Sequence, residues 1–490
     1  MGNNGHKLKK RGVKLSIYFL SLLIVAIAAI GGTYAWIGRS VTLPSTVEII
    51  QGTNSSTLDI AASERIGAVY QTLLNNYVEG VDKEALIEGA LSGMVEAVGD
   101  PYSQYLNTEE SENLDETISA SFEGIGAEIM SLNQQIVIVS PIKGSPAEKA
   151  GLLPNDIILS ADGESLQGLT ASEAVALIRG EKGSEVVLEI VRGDQTFKVN
   201  ITRDTIPIET VTFELDEEYP EIGIVHVSSF STPTYDDIVS AVTDLRTQGA
   251  TSFVFDFRQN PGGLFDQALK ISNMFLDDGD VIMQTQEKDA EPNKIVASDS
   301  EFGDFKITEP SVLLVDEGSA SASEIVAGAL QESSEIPLVG TTTFGKGTVQ
   351  TVYPLTESSE LKLTVAKWLT PNGNWIHQKG IAVDYEVALP EYATLTIIDS
   401  TATYEEGTVS EEVKNVEAML NAIGYAVEAD GYYDEATVEQ VASFQAANEL
   451  DATGIVTGDT ALAIVEKLRE VLTENDTQYD KAVEILMGNE

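Results

Sequence analysis

The sequence predicts a multidomain α/β protein that carries a transmembrane helix near its N-terminus. With 490 residues, the chain is long enough for several hydrophobic cores. Apolar strands alternate with amphipathic helices between Ile222 and Val339, which is typical of crossover units around a parallel sheet. An uncharged and largely apolar run from Leu15 to Ile37 has the length that a helix needs to cross a bilayer. A β-rich region precedes the α/β region, and helical periodicity returns after it.

The composition excludes several classes of partner and site. The formal net charge is −49, and every charged residue among the first forty is basic, so the rest of the chain is more acidic still. Such a surface repels nucleic acid, which removes that class of partner. The chain has no cysteine, so it can form neither a disulfide nor a cysteine-based metal or redox site. We expect no metal and no cofactor.

The apolar run is predicted to be an uncleaved signal-anchor. Basic residues from Lys7 to Lys14 precede it, and by the positive-inside rule they keep the N-terminus in the cytoplasm. The chain after Arg39 is then extracytoplasmic, with a single pass through the cell membrane. The alternative is a cleaved signal peptide, but the run is long for one and no clear A-x-A site follows it.

A polar tether and a helical region follow the predicted membrane segment. Residues 41 to about 57 are polar and irregular. Between Leu58 and Val98, apolar residues recur with helical spacing, which predicts two or three amphipathic helices.

Residues 118–205 are predicted to form a β-rich domain with two helices. Short strands with glycine turns run from Phe122 to Arg203, interrupted by a short helix after Ser145 and by a second helix from Thr170 to Arg179. The region resembles a PDZ domain in the permuted strand order usual for bacterial proteases, and the resemblance rests on the series GIGAEI, SPAEKAGL, NDIILSADG, AVALIRG and VLEIVRG.

The PDZ resemblance implies that a peptide tail binds by adding a strand to the sheet. The backbone N–H groups that would bind its terminal carboxylate belong to Gly124, Ile125, Gly126 and Ala127. The pocket for the last side chain of the tail would be formed by Ile125, Ile129, Val175 and Ile178. In some proteins with such a domain, an arginine near Arg179 links the docked PDZ domain to the neighbouring domain and has a regulatory role. A cation that simply favours a helix C-terminus is an equally good interpretation of Arg179.

A serine turn lies at the centre of the α/β region. The apolar run Val312–Val315 predicts a buried strand, and helical periodicity resumes at Glu324. The small residues from Ser319 to Ser323 would expose a hydroxyl at the start of that helix, where free N–H groups and the helix dipole favour a developing negative charge. A serine nucleophile needs that setting. The simpler interpretation is that Ser319 or Ser323 is an ordinary helix N-cap.

A serine nucleophile also needs a base. His6 precedes the membrane segment, which leaves His226 and His377 as the histidine candidates. Lys346 stands between two glycines and among apolar neighbours, which could desolvate its amine and lower its pKa. Gln350 falls on the same face of the predicted strand and could hold the amine in position.

The serine and lysine segments together resemble the Ser–Lys core of the C-terminal processing (tail-specific) peptidases. The resemblance rests on the run GSASASE followed by FGKGTVQ, with Lys346 25 positions after Ser321 (346 − 321). It implies that Ser321 is the nucleophile, Lys346 the general base and Gln350 its supporting residue. A Ser321–His377–Asp triad is the mechanistic alternative, while His226 is predicted to be an ordinary strand residue.

Two further segments extend the family resemblance. The family's NPGG turn is intact here, although Phe257 and Gln259 differ from the usual DLRNNPGG run. It implies an oxyanion hole made by the N–H of Ala322 and that of Gly262 or Gly263. The family also has a DPYS element after its N-terminal helices, as this chain does in the run DPYSQYL. In relatives those helices help to form a dimer, which implies a homodimer here, whereas a small helical subdomain is the simpler interpretation.

The C-terminal part of the chain is predicted to hold three helices and an acidic tail. The pattern VKNVEAML, DGYYD, SFQ and TGIVT resembles a peptidoglycan-binding-like domain. Asp430 and Asp434 suggest calcium only weakly, because their spacing fits no EF-hand loop. The tail after Leu472 is expected to fray.

We therefore predict a membrane-anchored, extracytoplasmic serine endopeptidase that recognises the C-terminal tails of protein substrates through its PDZ domain. Two alternatives stay open: a catalytically silent scaffold that binds peptides and the cell wall, and a hydrolase directed at peptidoglycan. The predicted partners are protein substrates, the membrane, peptidoglycan and a second copy of the chain. The predicted ranges are 1–40 for the cytoplasmic stub and signal-anchor, 41–117 for the tether and helical region, 118–205 for the PDZ domain, 206–392 for the protease core, 393–408 for a linker, 409–470 for the peptidoglycan-binding-like domain and 471–490 for the tail.

Overall fold

The computed structural model describes residues 60–356 and 358–488, which form two compact units. The first unit contains the described residues up to Gly99 together with the turn Pro354–Ser359, and the second contains the remainder. The predicted signal-anchor, Leu15 to Ile37, lies outside the described residues. Among the residues that are described, no helix is long and apolar enough to cross a bilayer.

The first unit is built on two helices, α1 (Ile60–Asn76) and α2 (Lys83–Glu96). Asp82 caps α2, because its Oδ1 accepts the backbone N–H groups of the first turn. Ile66, Val69 and Met94 are 46, 57 and 51% exposed, and they line an apolar groove of about 730 Å³ between the helices. The predicted amphipathic helices therefore form, and within this unit their apolar faces stay largely uncovered.

The β-rich region forms a six-stranded antiparallel sheet with two helices. The strand order is β3-β4-β5-β7-β8, with β6 paired to β5, so β3 is an edge strand. Alternate residues of β7, Val186, Leu188 and Ile190, are fully buried, as the two-residue period of a strand with one buried face requires. The elements up to this sheet's end are β1 (Gln104–Leu106), α3 (Thr108–Ser119), β2 (Ser121–Gly124), β3 (Ala127–Leu132), β4 (Gln135–Pro141), α4 (Pro146–Lys149), β5 (Ile157–Ala161), β6 (Glu164–Ser165), α5 (Ala171–Ile178), β7 (Glu185–Arg192), β8 (Gln195–Thr202) and β9 (Asp204–Pro207).

A second six-stranded sheet forms the α/β core. Its strand order is β10-β11-β12-β15-β16-β19, parallel from β11 onward and antiparallel between β10 and β11. The elements that contribute to this core are β10 (Val211–Leu215), β11 (Ile222–Val227), α6 (Thr234–Gln248), β12 (Ser252–Asp256), α7 (Phe265–Asn273), α8 (Asp299–Phe302), β15 (Ser311–Val315), α9 (Ala322–Ser333), β16 (Leu338–Gly340) and β19 (Tyr385–Glu386).

Strand β12 shows how the central sheet is buried on both faces. Phe253 and Phe255 pack into one core with residues of α6, α7 and α9, whereas Val254 packs into a second core on the opposite face. A strand that is covered on both faces has apolar residues at successive positions. The sequence of β12 therefore shows no alternation of apolar and polar residues.

A mostly antiparallel sheet lies beside the α/β core. Its strand order is β1-β18-β13-β14, with β17 paired to β18. These strands are β13 (Val281–Glu287), β14 (Asn293–Val296), β17 (Thr348–Pro354) and β18 (Glu360–Leu369).

The C-terminal part contains four helices, of which three pack around a core that includes Val413, Phe444 and Ile464. The fourth helix overturns the expectation that the tail frays. Tyr479, Ala482, Val483 and Leu486 form an apolar stripe at helical spacing and pack on the central sheet, with Ala482 fully buried. The helices are α10 (Glu411–Ala422), α11 (Glu435–Ala447), α12 (Gly458–Glu474) and α13 (Thr477–Leu486).

Candidate active site

The serine turn connects the end of β15 to the start of α9. Ser321 stands directly before the helix with φ 55° and ψ −109°, a conformation that costs a non-glycine residue about 1–3 kcal/mol. Ser319 Oγ donates to Phe257 O at 2.8 Å, and Ser323 Oγ donates to Asn260 O at 2.9 Å, both fully buried. The two flanking serines therefore hold the turn against the end of β12, and the strained Ser321 occupies the cap position.

Lys346 lies in the irregular segment before β17 and is partly buried. Its Nζ is 5.0 Å from the centroid of the Tyr102 ring, within the range of a cation–π contact. Burial lowers the pKa of the Lys346 amine and the nearby charge of Lys362 lowers it further, whereas Glu324 and Asp100 act in the opposite direction. The net direction is downward, as a lysine that accepts a proton near neutral pH requires.

The buried carboxylate of Glu324 joins the serine turn to the lysine segment. Its Oε2 accepts the backbone N–H of Ser321 and that of Lys346, both at 2.8 Å. Its Oε1 accepts the hydroxyl of Thr343 at 2.6 Å and the N–H of Gly345 at 2.7 Å. The residue is 0% exposed, so these four bonds replace its hydration. A single oxygen atom thus brings together the backbones of the two residues that the sequence predicts to react.

We expect Glu324→Gln to reduce kcat for a peptide substrate about 100-fold. An amide has one acceptor oxygen, so in either orientation its NH2 group faces two of the four donors that the carboxylate accepts now. A small displacement of a nucleophile from its base is enough for such a loss. The free energy of unfolding should also fall by roughly 1–3 kcal/mol, since buried donors lose their acceptor. Steady-state kinetics and urea unfolding of the purified variant measure the two effects.

Glu335→Gln is the matched control, because Glu335 is exposed just after the end of the same helix. It should leave kcat and the unfolding midpoint unchanged. A Glu324→Gln variant with wild-type kcat would show that the carboxylate does not hold the reacting residues in place.

Sequence reasoning did not identify Glu324 or Tyr102 as residues of this site. The sequence did carry a signal for Glu324, since an acid three residues after a cap position is the pattern of a capping box. Its bond to Lys346 had no such signal, because that contact joins two segments that are distant in the chain. Tyr102 belongs to the DPYS run, but nothing in that run indicates which side chain faces the lysine.

Two threonines hold Gln350. Its Nε2 donates to Thr348 Oγ1 and to Thr364 Oγ1, each at 3.0 Å. The N–H of Thr364 donates to Ser103 Oγ at 3.0 Å, and that hydroxyl donates to Asp100 Oδ2 at 2.5 Å. The network orients the Gln350 amide and leaves its Oε1 outside these bonds.

The two glycines of the NPGG turn differ in their hydrogen bonds. The N–H of Gly262 donates to Asn260 Oδ1 at 2.9 Å. Among the described residues, the N–H groups of Gly263 and of Ala322, the first residue of α9, have no hydrogen-bond partner. A Cβ atom at Gly262 would lie 2.8 Å from Ala322 N, and one at Gly263 would lie 2.1 Å from Phe230 O. The turn therefore packs against the helix start at a distance that only glycine permits.

A cleft of about 580 Å³ lies beside the serine turn. Phe344 is 54% exposed there, while its backbone N–H is held by Ser319 O at 3.0 Å. The cleft is large enough for a side chain of an extended peptide. It is lined by Tyr102, Gln259, Pro261, Glu317, Gly318, Ala320, Phe344 and Lys346.

Neither histidine of the described residues fits a serine–histidine mechanism. His226 Nδ1 is 3.7 Å from Asp256 Oδ2, on the sheet face that α13 covers. The ring of His377 stacks on Trp375, and its Nδ1 is buried without a hydrogen-bond partner in the described part of the chain. A triad needs that nitrogen to be held by a carboxylate, so the Ser321–His377–Asp alternative is not supported. Within residues 60–356 and 358–488, no group of three His, Asp or Glu side chains could hold a metal ion.

The residues predicted to bind a peptide tail lie at one edge of the β-rich sheet and in its core. Ile125 and Ile178 are each 4% exposed and belong to the core, whereas Ile129 and Val175 are half-buried. Gly126 has φ 72°, and a Cβ atom there would lie 2.5 Å from a neighbouring side chain. The edge strand β3 begins at the end of this glycine loop.

Arg179 contacts α3 as well as its own helix. Its Nη1 donates to both carboxylate oxygens of Glu116, at 2.7 and 2.9 Å, and its guanidinium lies 4.6 Å from the centroid of the Phe122 ring. Gly124 lies directly beside it, since a Cβ atom there would be 3.7 Å from Arg179 Cγ. The side chain therefore links the glycine loop to the helix that follows β1, which a cation at a helix end alone does not explain.

Comparison with protein families finds four matching regions. Peptidase family S41 matches residues 221–387, and the PDZ domain family matches residues 137–192. The N-terminal domain of the activating protease CtpB matches residues 25–110, and a peptidoglycan binding domain matches residues 409–464. The order of these regions along the chain is the order predicted from the sequence.

Relatives match almost the whole chain. The chain is 43% identical over 478 residues to the carboxy-terminal processing protease CtpA of Bacillus subtilis (strain 168), with 97% of this chain and 99% of that protein covered. It is 36% identical to a "Probable CtpA-like serine protease" of Staphylococcus aureus (strain MSSA476), with 97 and 93% covered. Among solved structures, a photosystem II D1 C-terminal processing protease is 29% identical, with a TM-score of 0.39 and with 66% of this chain and 88% of that one covered.

Proposed function

The chain belongs to peptidase family S41, among the CtpA-like carboxy-terminal processing serine proteases, and on that premise we propose that Ser321, Lys346 and Gln350 carry out its peptidase reaction. The observation that carries the proposal is the Glu324 carboxylate, whose Oε2 accepts the backbone N–H groups of both Ser321 and Lys346. The lowered pKa of the Lys346 amine supports the role of base.

In the proposed reaction, the neutral amine of Lys346 takes the proton from Ser321 Oγ as that oxygen attacks the scissile carbonyl. The carbonyl carbon becomes tetrahedral, and its oxygen becomes an oxyanion. The ammonium of Lys346 then returns the proton to the leaving amine, and the acyl-enzyme forms as the peptide bond breaks. A water molecule attacks the ester by the same route and releases the acid. Gln350 Oε1 orients the lysine amine during these proton transfers.

The oxyanion hole is proposed to consist of the N–H groups of Gly263 and Ala322. Of the two glycines of the NPGG turn, Gly262 uses its N–H to bind Asn260 Oδ1, which favours Gly263 as the donor. Ala322 supports the assignment because it is the first residue of α9, where the helix dipole adds to the N–H group.

An acylating active-site probe tests this chemistry directly. Incubation of the full chain with the probe, in the presence of a peptide that ends in an apolar residue, should label Ser321 and no other serine, as read by mass spectrometry. Complete absence of labelling at every pH and with every peptide would favour the silent scaffold over the enzyme.

The PDZ region is proposed to capture the apolar C-terminal tail of a protein substrate. Three features support this: the open edge of β3, the glycine loop before it, and the half-buried Ile129 and Val175 beside it. In this proposal, backbone N–H groups from Gly124 to Ala127 bind the terminal carboxylate.

Amidation of the substrate's C-terminus is expected to reduce kcat/KM roughly 10- to 100-fold, because the loop loses a charged hydrogen-bond acceptor. The measurement compares one reporter protein that ends in an apolar tail with its amidated form, prepared by ligation. A reporter whose tail is free but whose last residue is aspartate serves as the control for the apolar pocket. Equal rates for the free and amidated reporters would remove the PDZ region from substrate selection.

The chain is also proposed to be a single-pass membrane protein with its catalytic part outside the cytoplasm. The apolar run Leu15–Ile37 and the basic residues before it support this placement. Protease protection of intact cells, before and after lysis, tests the orientation.

Peptidoglycan is the proposed partner of residues 409–470, on the basis of the family match to that region.

A homodimer through α1 and α2 is the proposed oligomeric state. The apolar groove between these helices, with Ile66, Val69 and Met94 about half exposed, supports it. Sedimentation of a Val69→Glu variant tests the dimer, since a charge on that face should shift the chain to a monomer.

Arg179 is proposed to have a regulatory role, in which its ion pair with Glu116 couples the position of the PDZ region to the protease core.

A further inference from the structure

The last helix of the chain belongs to the fold of the α/β core. Helix α13 lies after the small three-helix domain in sequence, yet Ala482 is fully buried against the second face of the central sheet. The sheet residues that it contacts include Val254 and Leu314. A parallel sheet needs cover on both faces, and within the described residues this helix supplies it for the face opposite α9.

One residue just after the end of β12 connects this helix to the NPGG turn. Along β12 the odd-numbered Phe253 and Phe255 point into the core with α9, so the even-numbered Val254 and Asp256 point to the face of α13. Arg258 continues this alternation, and its side chain lies on the α13 face between two carboxylates.

The guanidinium of Arg258 is bound on both sides. Nε and Nη2 donate to the two carboxylate oxygens of Asp256, at 2.9 and 2.7 Å. Nη1 donates to Asp476 Oδ1 at 2.9 Å and to Gln478 Oε1 at 3.1 Å, and Nη2 lies 2.7 Å from Asp476 Oδ2. The side chains of Arg258 and Asp476 are only 16 and 21% exposed, so the pair is largely shielded from water. Burial raises the pKa of Asp256, but hydrogen bonds from His226 and Arg258 lower that pKa to about 2.

The backbone of Arg258 leads directly into the turn that supplies the proposed oxyanion donor. The next residue, Gln259, has φ 56° and is held to Asp316 by its N–H at 2.8 Å and by its Nε2 at 2.7 Å. Asn260 follows, fully buried, and its carbonyl accepts the Ala320 N–H and the hydroxyl of Ser323. The Arg258 side chain is thus attached, through two backbone residues, to the turn that packs against the nucleophile.

We propose that Asp476 and Gln478 are positioning residues for catalysis, which act by holding Arg258 and, through it, the oxyanion turn at Gly262 and Gly263. The inference rests on the proposed function of Ser321 and of the NPGG turn. It also means that the three-helix domain is inserted between the α/β core and the core's own last helix, so that the domain is connected to the core at both ends.

The test is Asp476→Asn in the full chain. Asparagine still accepts the Tyr479 N–H that Asp476 caps now, so the helix start is kept while the ion pair with Arg258 is lost. The expected result is a fall in kcat of about tenfold with KM unchanged, because the oxyanion is stabilised only in the transition state. Amide hydrogen exchange of residues 259–264 should become faster in the same variant.

Glu484→Gln is the matched control, since within the described residues Glu484 pairs only with Lys481, on the surface of the same helix. It should leave kcat and the exchange of residues 259–264 unchanged. Asp476→Glu, which keeps the charge, should recover part of kcat. A folded Asp476→Asn variant with wild-type kcat and wild-type exchange would overturn the proposal, as would a loss that appears in KM alone. An inactive wild-type chain would instead count against the proposed function and not against this contact.

Discussion

Replacing Ser321 with alanine is expected to reduce kcat at least about 10⁴-fold while leaving the fold intact. The hydroxyl is the proposed nucleophile, and loss of a nucleophile removes the covalent route altogether. The residue stands in a strained conformation before α9, and alanine can adopt it as readily as serine does. Cleavage of an unfolded reporter that ends in an apolar tail, followed by mass spectrometry, measures the remaining rate.

Ser333→Ala on the same helix is the control for this substitution. Its Oγ donates to Val281 O at 2.7 Å, so the variant removes a serine hydroxyl and its hydrogen bond at the opposite end of the helix from the turn. It should lower the free energy of unfolding by about 1 kcal/mol and keep kcat near the wild-type value. Reporter cleavage by Ser321→Ala at more than a hundredth of the wild-type rate would contradict the proposed nucleophile.

Replacing Lys346 with methionine is expected to reduce kcat at least about 10³-fold, because the hydroxyl loses its general base. Methionine fills a similar volume and needs no hydration, so the variant should be at least as stable as the wild type. The two properties together separate a catalytic role from a structural one. Steady-state kinetics and thermal unfolding at a fixed pH measure them.

The pH dependence gives the second measurement on Lys346. The folded-state pKa of the amine lies below that of the unfolded chain, and only the neutral amine can accept a proton. Because kcat/KM follows the ionisation of the free enzyme, kcat/KM should rise as pH rises through the folded-state value. Stability should rise with pH as well, between the folded and unfolded pKa values, because the unfolded chain binds the proton more tightly there. Lys346→Met should lack this slope in stability.

Lys362→Met tests whether the nearby positive charge of Lys362 helps to set the pKa of Lys346. Because Lys362 lowers the pKa of Lys346, its removal should move the rising limb of the pH–rate profile to higher pH. A limb that stays in place in Lys362→Met would mean that another group controls the profile.

Much of the fold follows from local patterns in the sequence. The apolar run Val312–Val315 indicated a buried strand, and the structure places this strand, β15, in the middle of a parallel sheet. The short strands and glycine turns between Phe122 and Arg203 indicated a β-rich region, and the structure forms an antiparallel sheet there. These signals are reliable because strand and helix periods depend on neighbouring residues alone.

The last helix was missed because its charge concealed its pattern. Asp480 and Glu484 made the segment read as an acidic tail, whereas the apolar stripe through Ala482 is only three helical turns long. So short a helix is not stable by itself, and it forms here because the sheet face buries its stripe.

By itself, the sequence determined the order of the regions, the serine turn and the lysine segment, since each is written in residues that are close together in the chain. Only the tertiary structure decided which residues connect these segments: Glu324 between Ser321 and Lys346, and Asp476 with Arg258 behind the NPGG turn. The structure also distinguished the two glycines of the NPGG turn, because the N–H of Gly262 donates a hydrogen bond to Asn260 Oδ1 and that of Gly263 does not. The physical reason is the same in each case: a buried polar group takes its partner from whatever segment packs against it, and sequence separation carries no information about that choice.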